Sequence, residues 1–368
     1  MAVQNHPART SPWRRHRLTA VVLAAALGAA GCTEGDESAP RGIVVNLGGR
    51  IAVLDKIDSE PDIVAERPEG TERLDVYKLT APRQLATGHI VGISDGTVVA
   101  IEPAKPEQQV LLGPATSWFP TADGKKIWAV SEEPAATACA GQQIPASVNS
   151  RFTVTEHDTS GRPSQRTHTP QCGLQPLAET DQGIVAAQTT TEDDTNRART
   201  NLVLLDSDTM TPRQSLAQDA VLLAAGGHRL IWKQNDCDGA ACMKVYDAQD
   251  KDTANAPQCT QGEAVGRGSL DATGRWYAST IRADGGYRLA VLDLDENSCE
   301  DLGTNAALAG NQDLDGPLSG TWSKSNLLVL DSATGALTSF NAVSGKQDRR
   351  PKNLNVTDDG QVWGARTD

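Results

Sequence analysis

From residue 41 onward the apolar residues come in short runs of Val, Ile, Leu and Ala bounded by Gly, Asp, Asn, Ser and Pro, and no stretch spaces them as an amphipathic helix would. The pattern predicts an all-β domain, and its runs recur. "TVVAIE" ends at Glu102, "RFTVTEHD" at Asp158, "NLVLLD" at Asp206, "MKVYD" at Asp247, "YRLAVLD" at Asp293 and "NLLVLD" at Asp331, with intervals of 56, 48, 41, 46 and 38 residues. Periods of about 40 to 50 residues mark propeller blades. Ahead of several runs lies a hairpin with a glycine turn: "PTADGKKIWAV", "AAGGHRLIW", "DATGRWYAS" and "VTDDGQVWGA". Asp-Gly and Gly-Gly supply the positive φ angles that two-residue hairpin turns require. Each unit reads as strand, glycine turn, strand, variable loop, strand ending in an acid, turn, and a weaker fourth strand, which is the four-stranded blade.

Residues 41–368 accommodate about seven such units. The first, with "IVVNLGGRIAVLD" and "RLDVYKLT", is the least regular, and the chain ends on a hairpin at Gln361 to Ala365. Circular closure shares one blade between the termini and leaves no unpaired sheet edge. The expected fold is therefore a single β-propeller of four-stranded antiparallel blades, seven in number with eight as the alternative. Trp128, Trp232, Trp276 and Trp363 occupy similar places after the glycine turns. With aromatics at 4% of the chain, they are expected to fill the wedges between blades.

The segment before residue 41 has a different character. Arg9, Arg14, Arg15 and Arg17 precede an apolar run from Leu18 to Ala30 and then Gly31-Cys32, the layout of an export signal. The 13-residue run is shorter than the roughly 20 residues a spanning helix needs. "LGAAGC", residues 27 to 32, resembles the lipobox of bacterial lipoproteins, with Ala29 where Leu is commonest. That resemblance implies a diacylglycerol on Cys32, cleavage before it, and anchoring by two acyl chains such as palmitate. The expected organisation is a lipoprotein signal peptide at 1–31, the lipidated cysteine and a polar tether at 32–40, and the propeller at 41–368. Arg14-Arg15 leaves the export route open between the general secretory and twin-arginine systems.

Removing Cys32 from the seven cysteines leaves six: Cys139, Cys172, Cys237, Cys242, Cys259 and Cys299. An even number outside the cytosol reads as disulfides, and sequence proximity favours Cys139 with Cys172, Cys237 with Cys242, and Cys259 with Cys299. The whole chain carries a net charge of −13; without the four leader arginines, 30 basic residues face 47 acidic ones, giving −17. Such a surface repels phosphate backbones and anionic lipid heads. The expected partners are the membrane, reached through the lipid on Cys32 at the extracytoplasmic face, and an unidentified protein or small-molecule ligand, with no nucleic acid.

"VLDSATGALTSF", residues 329 to 340, resembles the quinoprotein-type blade signature, in which Leu-Asp-x-x-Thr-Gly closes a third strand. The mature chain is similar to the WD40-like and quinoprotein-like propeller lipoproteins of high-GC Gram-positive bacteria. In quinoprotein enzymes a Trp follows the Gly by three or four residues; here Thr338 and Ser339 stand there, which argues against a quinone cofactor.

Motifs with chemistry are few. "GISDG", residues 92 to 96, fits the nucleophile-elbow pattern, yet a strand follows it where an elbow needs a helix, so Ser94 is expected in a hairpin turn. His89, His157, His168 and His228 lack metal-ligand spacing, and Asp193-Asp194 and Asp358-Asp359 read as solvated loop acids. "NQDLDGP" sets Asn311, Asp313 and Asp315 at alternate positions before Gly316, the oxygen spacing of a calcium loop, with Trp322 at the position where an EF-hand needs Glu. No cofactor is expected other than a calcium ion at Asn311, Asp313 and Asp315. No catalytic residues are assigned, and the chain is expected to be a binding or scaffold module and not an enzyme. An extracytoplasmic hydrolase or oxidoreductase with its site at the channel mouth is the alternative.

Overall fold

The computed structural model describes residues 41–366, apart from 68–75, 107, 134–138, 140–149, 192–197, 236, 238–241, 261, 284–285, 304–319, 332–333, 348–350 and 357–359. Seven antiparallel sheets form from this segment, and they are the seven blades of a β-propeller. Blade 2 shows the common plan, stepping outward through Thr80–Gln84, Ile90–Ser94, Thr97–Ile101 and Gln109–Pro114. The other inner strands are Ser117–Pro120 in blade 3, Leu174–Thr180 in blade 4, Ala220–Gly226 in blade 5, Glu263–Leu270 in blade 6 and Gly320–Ser323 in blade 7. Blade 1 takes its inner strand, Gln361–Arg366, from the far end of the chain and its next three, Arg41–Asn46, Arg50–Leu54 and Asp62–Glu66, from the near end. This exchange settles the number at seven. Inner strands of blades 1 and 2, 3 and 4, 4 and 5, 5 and 6, 6 and 7, and 7 and 1 touch, and the second strand of blade 2 reaches the inner strand of blade 3, which closes the ring.

The recurrent acid has a structural cause. Asp206, Asp247 and Asp293 end the third strands of blades 4, 5 and 6, and each carboxylate accepts two backbone N–H groups from the turn that follows: Asp208 and Thr209, Gln249 and Asp250, Asp295 and Glu296. This is the Asx turn, in which a short side chain stands in for a backbone carbonyl. Asp331 departs from the expected plan. It ends the second strand of blade 7, Asn326–Asp331, and the third strand is Ala336–Asn341. Asn341 takes the capping place and accepts the Ser344 N–H at 3.0 Å. The interval after Asp293 is therefore 341 minus 293, or 48 residues, and the short interval of 38 disappears. Hence the Leu-Asp-x-x-Thr-Gly segment lies one strand earlier than the quinoprotein resemblance implies.

Large side chains fill the wedges. Trp128, Trp232 and Trp276 lie in second strands, whereas Trp363 lies in the inner strand of blade 1; all four are buried. Phe119, Trp128, Val130, Phe152 and Val154 of blade 3 pack on Leu174, Ile184, Ala186, Val203 and Leu205 of blade 4, one of several cores lying between neighbouring blades. The inner strand Leu174–Thr180 alternates buried and half-buried positions, as a strand packed between two neighbours should. Ser94 ends a second strand at 2% exposure, and Asp95 and Gly96, with φ of 48° and 72°, form the two-residue turn to Thr97. Those angles suit a hairpin and exclude the elbow.

Antiparallel order sorts the connections. Turns from inner to second and from third to outer strands lie at one end of the ring, here the turn face. Loops from second to third strands and passages between blades lie at the other, the loop face. Three disulfides form: Cys139 with Cys172, Cys237 with Cys242, and Cys259 with Cys299. The first ties a loop of blade 3 to the passage into blade 4, and the second closes the matching loop of blade 5, both on the loop face. The third joins the passage into blade 6 to that blade's outer strand, Ser298–Gly303.

Candidate functional site

Two charged clusters occupy the turn face. Between blades 5 and 6, Arg229 Nε meets Asp247 at 3.2 Å and its Nη1 meets Asp295 at 2.6 Å, while Arg275 reaches Asp293 at 2.7 Å and Asp295 at 3.6 Å. His228 Nε2 lies 3.3 Å from Asp247, and the Arg275 guanidinium lies 4.5 Å from the centre of the Trp276 ring, a cation–π contact. Burial pushes the Asp293 pKa up, but the Arg275 hydrogen bonds and two backbone N–H groups outweigh it and the net shift is downward. Glycines let the two blades close up here. Gly226 and Gly227 lie against the Asp271 and Thr273 carbonyls, where a Cβ on Gly227 would come within 2.5 Å of the Thr273 oxygen.

The second cluster bridges blades 3 and 4. The Glu156 carboxylate, with its side chain 3% exposed, receives Lys126 Nζ at 2.8 Å and Arg166 Nη1 at 3.0 Å, and Arg166 also holds Asp208 at 3.0 Å. Arg166 sits 5.1 Å from the Trp128 ring centre, and the Trp128 indole donates to Glu179 at 2.9 Å. The hydrogen bond to Glu156 raises the Lys126 pKa. In both clusters the cations answer carboxylates, and the pairs bridge neighbouring blades.

The ring interior differs. Arg83 stands exposed on the inner strand of blade 2. Desolvation lowers its pKa, and it has no ion pair among the described residues. The inner strands of a propeller line its axial channel. The strand is irregular just before it: Thr80 pairs with Ile93 and Arg83 with Val91, so a bulge falls between them, and Ala81 has φ of 50°.

The residues singled out from sequence are not brought together. Cys32, Asn311, Asp313, Asp315, Asp193, Asp194, Asp358 and Asp359 lie outside the described residues. His89 contacts Thr87 in a turn of blade 2, His157 and His168 lie on the third and outer strands of blade 3, and His228 lies in blade 5. Burial lowers the His157 pKa. Among the described residues no three His, Cys, Asp or Glu side chains are grouped to hold a metal, and no helix is long and apolar enough to cross a membrane. At the ends of the segment from Thr189 to Thr200, Thr189, Thr190 and Thr191 pair with Thr200, Arg199 and Ala198, and 192–197 lie outside the described residues. Arg83 went unnoticed in the sequence because "LTAPRQL" follows none of the repeat's cues.

These features define a seven-bladed β-propeller with paired charges on its turn face. No family model matches the chain, and no curated protein matches it. Solved structures do. The chain is similar to acylaminoacyl peptidase from Pyrococcus horikoshii (12% identity, TM-score 0.54, covering 83% of this chain and 47% of that one). It is similar to acylaminoacyl peptidase in complex with Z-Gly-Gly-Phe-chloromethyl ketone (12%, 0.55, 82% and 47%). It also resembles the β-propeller domain of the Trilobed protease from Pyrococcus furiosus (11%, 0.51, 84% and 88%), which has an open velcro topology, whereas here the last strand completes the first blade. At these identities the likeness is one of fold, and the chain spans about half the length of the acylaminoacyl peptidases it matches.

One expectation is corrected by these neighbours. The reading that the chain is not an enzyme rested on the absence of a compact catalytic motif, and enzymes share its fold. Side chains meeting at the axis come from strands about one repeat apart, so a site there leaves no short motif to find.

Proposed function

We propose that this chain works outside the cytoplasm, held at a membrane surface by a lipid on Cys32, and engages its ligand in the axial channel of the propeller. The observation that carries the channel reading is Arg83, an exposed cation on an inner strand with no ion pair among the described residues. Inner strands line the axial channel, so a cation there is available to a ligand that enters it. Three disulfides support the compartment, since such bonds persist in oxidising surroundings. The leader and "LGAAGC" support the anchor.

Catalysis in the same channel is the second reading, and what favours it is that peptidases use this fold. One experiment addresses both. The full chain, expressed in a bacterial host, should partition into detergent with a diacylglyceryl mass on Cys32, and photo-crosslinkers placed at Gln175 and Val221 on inner strands should capture ligand while one at Lys105 does not. An unmodified N-terminus at another residue would overturn the anchor, and capture confined to Lys105 would overturn the channel. Saturable turnover of a captured compound would select catalysis over recognition.

A further inference from the structure

The chain enters and leaves the ring on the same side. Arg41–Asn46 is the second strand of blade 1 and Gln361–Arg366 is its inner strand, and Arg41 pairs with Arg366. The Gly42 N–H donates to the Asp55 carbonyl at 3.0 Å, and Asp55 opens the turn from the third to the outer strand of the same blade. Third-to-outer turns belong to the turn face, so the chain crosses into the propeller there.

Arg41 stands 41 minus 32, or nine, residues from Cys32. Fully extended, that length reaches at most about 32 Å, and as a flexible coil it averages roughly 16 Å end to end. To turn the loop face toward a bilayer, the tether would have to double back over the ring. It would pass the third and outer strands of blade 1, about 10 Å at the usual spacing, and then descend the length of a six-residue strand, about 20 Å. That path of about 30 Å uses nearly the whole extended reach and gives up the tether's conformational entropy. Holding the turn face toward the bilayer needs no stretching.

Charge does not oppose that arrangement. On the turn face Lys126, Arg166, Arg229 and Arg275 are paired with Glu156, Asp208, Asp247, Asp293 and Asp295. Paired in this way, they add little to the repulsion that an acidic chain meets at anionic headgroups. The loop face carries the connections braced by Cys139–Cys172 and Cys237–Cys242, and loops held on a rigid scaffold are where binding residues concentrate.

We propose that the turn face is the side held toward the bilayer and that the loop face points outward, where a protein partner arriving from beyond the membrane meets it. The inference rests on the lipid anchor at Cys32 and adds the direction in which the anchored ring points.

The test uses the full lipidated chain in phosphatidylcholine vesicles that carry a rhodamine acceptor on some headgroups. A fluorescent amino acid excited outside the tryptophan band is placed singly at exposed positions: Gln249 and Ser344 on the turn face, Gln234 and Glu66 on the loop face. Gln249 and Gln234 share blade 5, while Ser344 and Glu66 lie in blades 7 and 1, near the tether. With the faces about 20 Å apart, energy transfer from Gln249 should exceed that from Gln234 about twofold or more, and Ser344 should exceed Glu66. Inserting about 40 Gly and Ser residues after Ser38 raises the mean tether length to roughly 40 Å, beyond the path around the ring, and should erase both differences. Greater transfer from the loop-face sites would overturn the proposal, as would equal transfer from Gln249 and Gln234, which would lay the ring on its side. A difference that survives the longer tether would overturn it too, since a face chosen by its own adhesion does not depend on reach. In each of these cases the chain still floats with the vesicles and Cys32 still carries its diacylglyceryl mass, so the anchor reading stands. Loss of both flotation and that mass would overturn the anchor and the orientation together.

Discussion

The three disulfides close loops of very different length, and that difference makes their contributions separable. Cys139–Cys172 and Cys259–Cys299 span 33 and 40 residues, and Cys237–Cys242 spans 5. On the loop-entropy relation each long loop stabilises the fold by about 4 kcal/mol and the short one by about 2 kcal/mol, because the contribution grows with the logarithm of loop length. The perturbation is paired replacement: Cys139→Ala with Cys172→Ala, Cys237→Ala with Cys242→Ala, and Cys259→Ala with Cys299→Ala. Alanine is chosen because Cys139 and Cys242 are buried, at 2% and 0% exposure, and serine would bury a hydroxyl there. Urea unfolding of each pair variant against wild type, read at constant slope, gives the differences directly. The long-loop variants should be alike and each should lose about twice what the short-loop variant loses. A short-loop variant losing as much as either long-loop one would refute the entropic reasoning and place the stabilisation in local packing.

Two further outcomes follow from the turn face. Hydrogen bonds from Ser160 at Asp158, and from the Thr209 and Asp208 backbones at Asp206, lower both carboxyl pKa values in the folded state. A folded pKa below the unfolded value means that the stability these acids lend is fully present above about pH 4 and is lost as pH falls through the lower folded value. Asp206→Asn keeps the capping oxygen and removes the titration, so its thermal midpoint should decline less between pH 4 and pH 2 (roughly the aspartate range); an equal or steeper decline refutes the assignment. Gly227, at φ of 54° and packed on the Thr273 carbonyl, should lose more than about 2 kcal/mol in urea as Gly227→Ala, since the αL cost and the backbone clash add; a loss under about 0.5 kcal/mol would show that blades 5 and 6 have room to separate.

How far the chain could be read in advance depended on whether a residue's role was local. Asp206, Asp247 and Asp293 cap the turns just after them, so their chemistry is written within three residues and the repeat is visible. Asp331 misled for the same reason. It accepts the Thr334 N–H and hydroxyl much as a third-strand aspartate caps its turn, yet it sits one strand earlier. Only the pairing of Asn326–Asp331 with both Gly320–Ser323 and Ala336–Asn341 reveals the phase. Trp363 was grouped with the other tryptophans by its glycine turn, but its strand crosses the whole chain to pair with Arg41–Asn46, a partner no local pattern names.

The channel lies at the far end of that scale. An inner strand contributes a few residues to the axis, and its neighbours there come from other blades, so the axis is lined by segments as distant in sequence as Ser117–Pro120 and Gln361–Arg366. No spacing along the chain records that assembly. The turn-face clusters and the channel divide the protein's charge between two tasks. Asp247, Arg229, Asp295, Arg275 and Asp293 neutralise one another across a blade boundary, which holds the ring closed. Arg83 has no ion pair among the described residues, and the ring is held by its clamps, its wedges and its shared first blade without it.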